Sequence, residues 1–440
     1  MNSPLALALW LNGSRHPQHV VAFAGQQCFT QSDLIKDVQR IYDWLQRQPG
    51  QCWALCFDNS YDFIAALLAT LHAGKTPVLP GHNREAQLCE QQEHFCGVLS
   101  DTPLNLSCPV LNPQTLNYSA FKPFEPVPEE AGVVFFTSGS TGEPAQIYKT
   151  LRALDEEIAW LAALWGDSLR DCRVVGSVSH QHLYGFTFRV MLPMALGLAG
   201  DAAMIHFPEQ LAARASHPLL FISSPAFLKR LDINLAAPQF KRVISAAGKL
   251  DDVTAQQALA WLKTPVSEIY GTTETGVLAW REHVQTAPEW QAFPAVRFTQ
   301  QDDVWHVESP LIHHLHGQLD DILEFTSQGR FRLIGRRDRV VKIEEKRISL
   351  SEVERRLLAL PGVEEAVVVP VTRGSRIALG AVVVAPTAQG ACKQQWREAL
   401  SAWLEPIAIP RYWRIVERIP LNSQSKRAWA QLQELFDETR

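Results

Sequence analysis

No uncharged apolar run in the 440-residue chain approaches the roughly 18 residues that a membrane-crossing helix needs. The longest candidates, residues 63–71 and 190–200, suit buried segments. Charge of one sign is missing too: 41 Lys and Arg stand against 46 Asp and Glu, a net charge of −5. The basic face of a nucleic-acid binder is therefore not expected. The N-terminus has neither a basic stretch nor a small-residue cleavage site, so no signal peptide is expected. The eight cysteines include no Cys-x-x-Cys pair, and Cys52 and Cys56 have no second ligand pair behind them. Free thiols in a reducing cytoplasm are the expectation. No internal repeat or low-complexity segment stands out.

What is present is an ordinary globular composition, 46% apolar, which excludes wholesale disorder. The length suggests two to three domains. Leu34, Ile35, Val38, Ile41 and Leu45 recur at helical spacing, predicting a helix over 33–45. A strand over 51–57, a helix over 59–73 and a strand over 76–79 follow. Further short apolar runs at 133–136, 174–178, 219–222, 242–245 and 266–269 alternate with helical stretches at 154–164 and 254–262. Apolar strands separated by helices predict parallel sheets covered on both faces. Near residues 335–347 the texture turns to mixed charge, which by composition alone reads as a solvated linker. The last hundred residues carry a helix (351–360), two strands (365–371 and 379–385), a helix (392–404) and a basic end, a plausible small α+β domain.

The sharpest local feature is Thr137-Ser138-Gly139-Ser140-Thr141-Gly142-Glu143-Pro144, directly after the apolar run 133–136. Two glycines free the backbone, and four hydroxyls with free amides would converge on phosphate oxygens. Lys149 follows and would add charge. The segment is not a P-loop, because Tyr148 precedes Lys149 and no Gly-Lys-Ser/Thr occurs at the required spacing.

This loop resembles the signature of the adenylate-forming superfamily: acyl-CoA synthetases, aryl-acid ligases, peptide-synthetase adenylation domains and luciferases. Other motifs of that family appear in its order. His182-Leu183-Tyr184-Gly185-Phe186 resembles the His-x-x-Gly segment beside the acyl pocket. Ser245-Ala246-Ala247-Gly248-Lys249-Leu250 resembles the adenine-contacting strand end. Tyr270-Gly271-Thr272-Thr273-Glu274 matches Tyr-Gly-x-Thr-Glu. Asp321 stands where the ribose-binding Asp belongs, with Asp320 beside it as a rival. Gly335-Arg336-Arg337-Asp338 matches the hinge, and Lys426 sits where the late catalytic Lys belongs.

The resemblance implies an α/β fold: a large N-terminal domain (1–337) of parallel-type sheets with covering helices, and a small mobile α+β C-terminal lid (338–440). It implies ATP-dependent activation of an aryl or acyl carboxylic acid as its adenylate. Transfer to a thiol follows, either CoA or the phosphopantetheine of an acyl carrier protein. Thr137, Ser138, Gly139, Ser140, Thr141 and Gly142 would cradle phosphates, Thr273 would meet the α-phosphate, and Glu274 would hold Mg²⁺. Tyr270 would stack on adenine, with Ala247, Gly248, Lys249, Gly271 and Thr272 around the nucleotide. Asp321 and Arg336 would bind ribose. Asp338 would be the hinge that lets Lys426 enter and leave. His182 would sit near the acyl carboxylate, and Tyr184, Gly185, Phe186, Ser224 and Pro225 would wall the acyl pocket.

The sequence also departs from the family pattern. Ala145 stands where a Lys is usual, Glu345 where a Gly is usual, and Ser425 replaces the Gly before Lys426. The compact size, Ala145 and the stretch Glu344-Glu345-Lys346-Arg347 resemble small ligases of carrier-protein-based aryl polyene or fatty-acid-like pathways. Two rival readings remain open at this level: a degenerate fold binding nucleotide or a partner without turnover, and an amino-acid-adenylating enzyme.

Overall fold

The computed structural model describes residues 3–118, 121–138, 144–284, 287–302, 304–312, 316–336, 339–343, 346–373, 376–386, 392–401, 404–421 and 427–437. The chain forms two compact units, residues 1–297 with 308–317, and residues 298–307 with 318–440.

Two sheets organise the first unit. One takes the strands Val110–Leu111, Gly97–Ser100, Cys52–Cys56, Thr76–Leu79, Gly132–Ser138 and Pro144–Thr150 in that spatial order. Its pairings are parallel until the last two strands, which form an antiparallel hairpin. The other sheet runs Gln291–Ala292, Gly276–Glu282, Val266–Thr272, Phe240–Ser245, Leu219–Ser223, Arg173–Gly176, Ala199–Asp201, Val20–Ala24 and Gln27–Thr30. Its centre is parallel and both margins are antiparallel. All five residues of Leu219–Ser223 are buried, as a strand covered on both faces requires.

Local chemistry sets the helices. Thr30 caps Gln31–Leu45 through a reciprocal box: the Asp33 amide donates to the Thr30 hydroxyl, and the Thr30 amide donates to the Asp33 carboxylate. Asn59 caps Ser60–His72, which is buried almost all round. That explains the run 63–71: it is a core helix. Among the described residues, no helix is long and apolar enough to cross a membrane.

In the second unit, Glu365–Arg373 and Arg376–Val384 pair antiparallel, and Tyr412–Ile415 joins the latter in parallel. The helices Leu350–Leu358 and Cys392–Ser401 pack on this sheet, burying Val353, Leu357, Trp396 and Leu400 with Val368, Val383 and Trp413. The mixed-charge stretch is not a plain solvated linker. It contains the end of the strand Phe331–Arg336 and the hairpin Val340–Ile343 with Lys346–Ser349. Ile343 and Ile348 are buried in the same core, so alternation of charge with apolar residues here marks a half-buried hairpin.

Candidate active site

Parallel sheets expose ligand sites beyond the carboxyl ends of their strands, and the family motifs of the first unit lie at such ends. Thr137 and Ser138 are the last residues of Gly132–Ser138, in register with Ala145 and Pro144. Gly139, Ser140, Thr141 and Gly142 fall outside the described residues. Within Pro144–Thr150 the period of two puts Lys149 on the same face as Ala145.

Lys149 is only 5% exposed. Its ammonium donates to the backbone carbonyls of Glu274 at 2.8 Å and Leu311 at 3.0 Å. Burial lowers its pKa, and the charges of Glu157 and Glu274 oppose that shift. Lys149 is therefore committed to two carbonyls and ties the hairpin Gly132–Ser138 with Pro144–Thr150 to the Tyr-Gly-Thr-Thr-Glu turn. Glu157, also buried, accepts the Val277 amide at 2.8 Å and the Thr187 hydroxyl at 2.7 Å. Burial raises its pKa.

The turn is closed from within. The Thr272 amide donates to the Thr275 hydroxyl at 3.0 Å, and the Thr275 amide donates to the Thr272 hydroxyl at 3.2 Å. Gly271 faces Gly276 so closely that a Cβ would lie 2.1 Å from the Gly276 carbonyl oxygen; only glycine fits this strand pair. Thr273 and Glu274 occupy the tip, with Glu274 exposed. Among the described residues, no group of three or more His, Cys, Asp or Glu is gathered for a metal. A lone carboxylate suits Mg²⁺, which takes one or two carboxylates and fills its shell with phosphate and water oxygens.

Tyr270 lies on Val266–Thr272, 8% exposed, with its ring 5.7 Å from that of Trp290. Ala247, Gly248 and Lys249 are exposed just past the strand Phe240–Ser245. Ala247 has φ +68°, a left-handed conformation that costs a non-glycine residue about 1 kcal/mol and concentrates at functional sites. Ser245 is fully buried, and its hydroxyl has no hydrogen-bond partner among the described residues. An orphaned hydroxyl beside an exposed, strained strand end fits a ligand-contacting edge.

The acyl-wall residues divide into two groups. The Tyr184 hydroxyl lies 2.9 Å from the carbonyl oxygens of both Ser223 and Ile244, clamping adjacent strand ends, and burial raises its pKa far above the ordinary value. Pro225 stands 3.7 Å from where a Cβ on Gly248 would be, so it adjoins the exposed segment Ala247 to Lys249. Gly185 passes the Ser179 carbonyl at a distance that admits no Cβ. Phe186 is fully buried against Phe63 and Phe135 and faces the core. His182 lies against Gly81, whose added Cβ would be 2.9 Å from Cε1. Its neighbour His180 is buried at 3.0 Å from the Phe57 carbonyl and pushed down to about 3, chiefly by burial and secondarily by Arg189.

In the second unit, Asp321 and Arg336 are cross-strand partners, while the Arg336 guanidinium lies 3.3 Å from Asp320. Asp338 and Lys426 fall outside the described residues, but their neighbours converge. Glu354 accepts from Arg427 at 3.0 Å, from Arg339, and from the Val368 amide at 2.7 Å. Sequence reasoning missed Glu157, Glu268, Arg281, Trp290 and Glu354. Each acts through tertiary partners that no local motif encodes.

The chain is similar to known proteins in both of its units. Residues 82–299 match the family model for AMP-binding enzymes, and residues 352–426 match that for the AMP-binding enzyme C-terminal domain. A 4-coumarate–CoA ligase of Rhodobacter capsulatus is 29% identical over 304 residues, 68% of this chain and 76% of that one. In fold, the chain is similar to ATP-bound MatB from Rhodopseudomonas palustris, with TM-score 0.84, 18% identity and 99% of both chains covered. It is likewise similar to o-succinylbenzoate CoA synthetase from Bacillus subtilis, with TM-score 0.83, 16% identity, and 100% of this chain and 99% of that one covered. With its ordered motifs, its two matched domains and this fold, the chain belongs to the AMP-binding, adenylate-forming enzyme family.

Proposed function

We propose that the chain activates an aryl or acyl carboxylic acid with ATP and transfers it to the thiol of CoA or of a carrier-protein phosphopantetheine. In the first step a carboxylate oxygen attacks the α-phosphorus of ATP, and the bond to pyrophosphate breaks. In the second step the thiol attacks the acyl carbon, and AMP leaves with the bonding electrons. The observation that carries this reading is the 2.8 Å bond from Lys149 to the Glu274 carbonyl. It draws the hairpin bearing the phosphate loop to the turn bearing Thr273 and Glu274.

In this reading Thr137 to Gly142 and Thr273 donate hydrogen bonds to phosphate oxygens, where charge develops during the first step. Glu274 is the residue that would hold Mg²⁺, which when bound neutralises phosphate charge. Tyr270 and the segment Ala247 to Lys249 hold adenine. Asp321, an acceptor facing two ribose hydroxyls, acts with Arg336. Lys426 brings a point charge to the reacting carboxylate and phosphate, and Asp338 is the pivot between an N-terminal domain (1–337) and a lid (338–440). Similarity to 4-coumarate–CoA ligases favours an aryl acid. Ala145 and the stretch Glu344-Glu345-Lys346-Arg347 favour a carrier-protein pathway of the aryl polyene or fatty-acid-like kind, and eight scattered cysteines with no Cys-x-x-Cys pair suit the cytoplasm.

The test is acid-dependent exchange of pyrophosphate into ATP over a panel of aryl, acyl and amino acids. Exchange with one or more aryl or acyl acids is expected. Exchange with amino acids alone, or none with any acid, contradicts the proposal.

A further inference from the structure

We infer that Glu268, through Arg281 and Trp290, positions both walls of the adenine slot and thereby sets nucleotide affinity and base selectivity. The inference rests on the reading that Tyr270 stacks on adenine, and it adds residues that no family motif includes.

Glu268 precedes Tyr270 by two residues on one strand, so both side chains share a face. It is 2% exposed, and a carboxylate so buried must be paired and hydrogen-bonded. It has three donors. Oε2 accepts from Arg281 Nε at 2.6 Å and lies 2.6 Å from His283 Nε2, and Oε1 accepts the Leu250 amide at 3.1 Å. Arg281 is its direct cross-strand partner.

Two chains of contact leave this carboxylate. One passes through Arg281, which donates to the Pro288 carbonyl at 3.1 Å and lays its guanidinium 4.4 Å over the Trp290 ring. Trp290 then meets Tyr270, 5.7 Å between ring centres at 54°. The indole is thus held between a cation and the proposed adenine-stacking ring, with cation–π and aromatic terms both favourable. The second chain is the Leu250 amide, which closes the exposed segment Ala247 to Lys249. One buried carboxylate therefore sets both the ring on one side of the slot and the backbone edge on the other.

None of these groups needs to touch ATP; they are positioning residues. Loosening them should widen the slot, weaken binding of the base and relax the choice among bases, while the acid site stays as it is. A general loss of folding would lower all parameters together.

The experiment measures pyrophosphate exchange with ATP and with GTP for Arg281→Met, Trp290→Leu, Trp290→Phe and Tyr270→Ala. Arg281→Met and Trp290→Leu should raise KM for ATP about ten-fold and cut the ATP-over-GTP preference by a similar factor, with KM for the acid and kcat within about two-fold. Trp290→Phe, which keeps an aromatic ring there, should recover most of the affinity. Trp290 adjoins the marginal strand Gln291–Ala292, so its variants carry the test should Arg281→Met fail to fold. If Tyr270→Ala raises KM for ATP while both Arg281→Met and Trp290→Leu leave it unchanged, or raise both KM values alike, the inference is overturned and the nucleotide reading stands. If Tyr270→Ala leaves KM for ATP unchanged, the reading of Tyr270 fails and the inference fails with it.

Discussion

The carboxylate of Glu354 receives the guanidinium of Arg427 at 3.0 Å. Arg427 immediately follows Lys426, and Glu354 also holds Arg339, the residue after Asp338. Glu354 is 8% exposed. Truncating one member of a buried ion pair leaves charges unpaired and typically costs about 3–5 kcal/mol. Glu354→Ala should destabilise the second unit by about that amount in a denaturant titration. It should also lower kcat for pyrophosphate exchange while leaving KM for the acid nearly unchanged. Unchanged stability would remove Glu354 as the anchor of the two segments.

Lys149 gives the second prediction. Lys149→Met fills the same space without the ammonium, leaving the Glu274 and Leu311 carbonyls without their buried donor. Each unsatisfied carbonyl costs roughly 1–3 kcal/mol, and the Thr273–Glu274 tip loses its tether. The Mg²⁺ concentration needed for half-maximal exchange should rise about five- to ten-fold, with KM for the acid unchanged. A Mg²⁺ titration of the two proteins checks this.

A third prediction concerns Gly271. A Cβ there would meet the Gly276 carbonyl oxygen at 2.1 Å, so Gly271→Ala must separate two paired strands at the site. Exchange activity should fall by about a hundred-fold or more. Gly248→Ala, where the nearest atom is 3.7 Å away, should keep activity within several-fold.

A fourth follows from His180. Burial holds it neutral, with a pKa of about 3 in the folded chain against about 6.5 when unfolded. Its contribution to stability is full above pH 6.5 and is lost as pH falls through the window from 6.5 to 3, where only the unfolded chain binds the proton. Between pH 7.5 and 5 the loss is about 2 kcal/mol. Thermal melting across this range should be flatter for His180→Gln than for the parent chain.

Much of this fold was legible in the sequence because most of its parallel strands contain short apolar runs separated by helices. The margins were not: Gln27–Thr30 and Gln291–Ala292 pair antiparallel and are short and partly polar, Ala199–Asp201 is only three residues long, and their pairing is decided by tertiary neighbours. Residues 335–347 read as a linker because their charges mask the buried alternation of Ile343 and Ile348. In the candidate site, the loop-borne Thr273 and Glu274 are proposed from a local motif. Lys149 reads as a free cation from sequence, and only the fold reveals the carbonyls that claim it. Glu268, Arg281 and Trp290 lie up to 22 residues apart, and strand pairing alone brings them together.

The central claim is that this chain forms an acyl-adenylate and passes the acyl group to a thiol. Mass spectrometry of products from ATP, Mg²⁺ and a mixture of carboxylic acids tests it most directly, with the parent chain beside Lys426→Ala and with CoA or holo-carrier protein added second. The account predicts an acyl-AMP from the parent chain, converted to a thioester on addition of the thiol, and a large loss of acyl-AMP from Lys426→Ala. Formation of ADP and phosphate, or no acid-dependent AMP product at all, would contradict it.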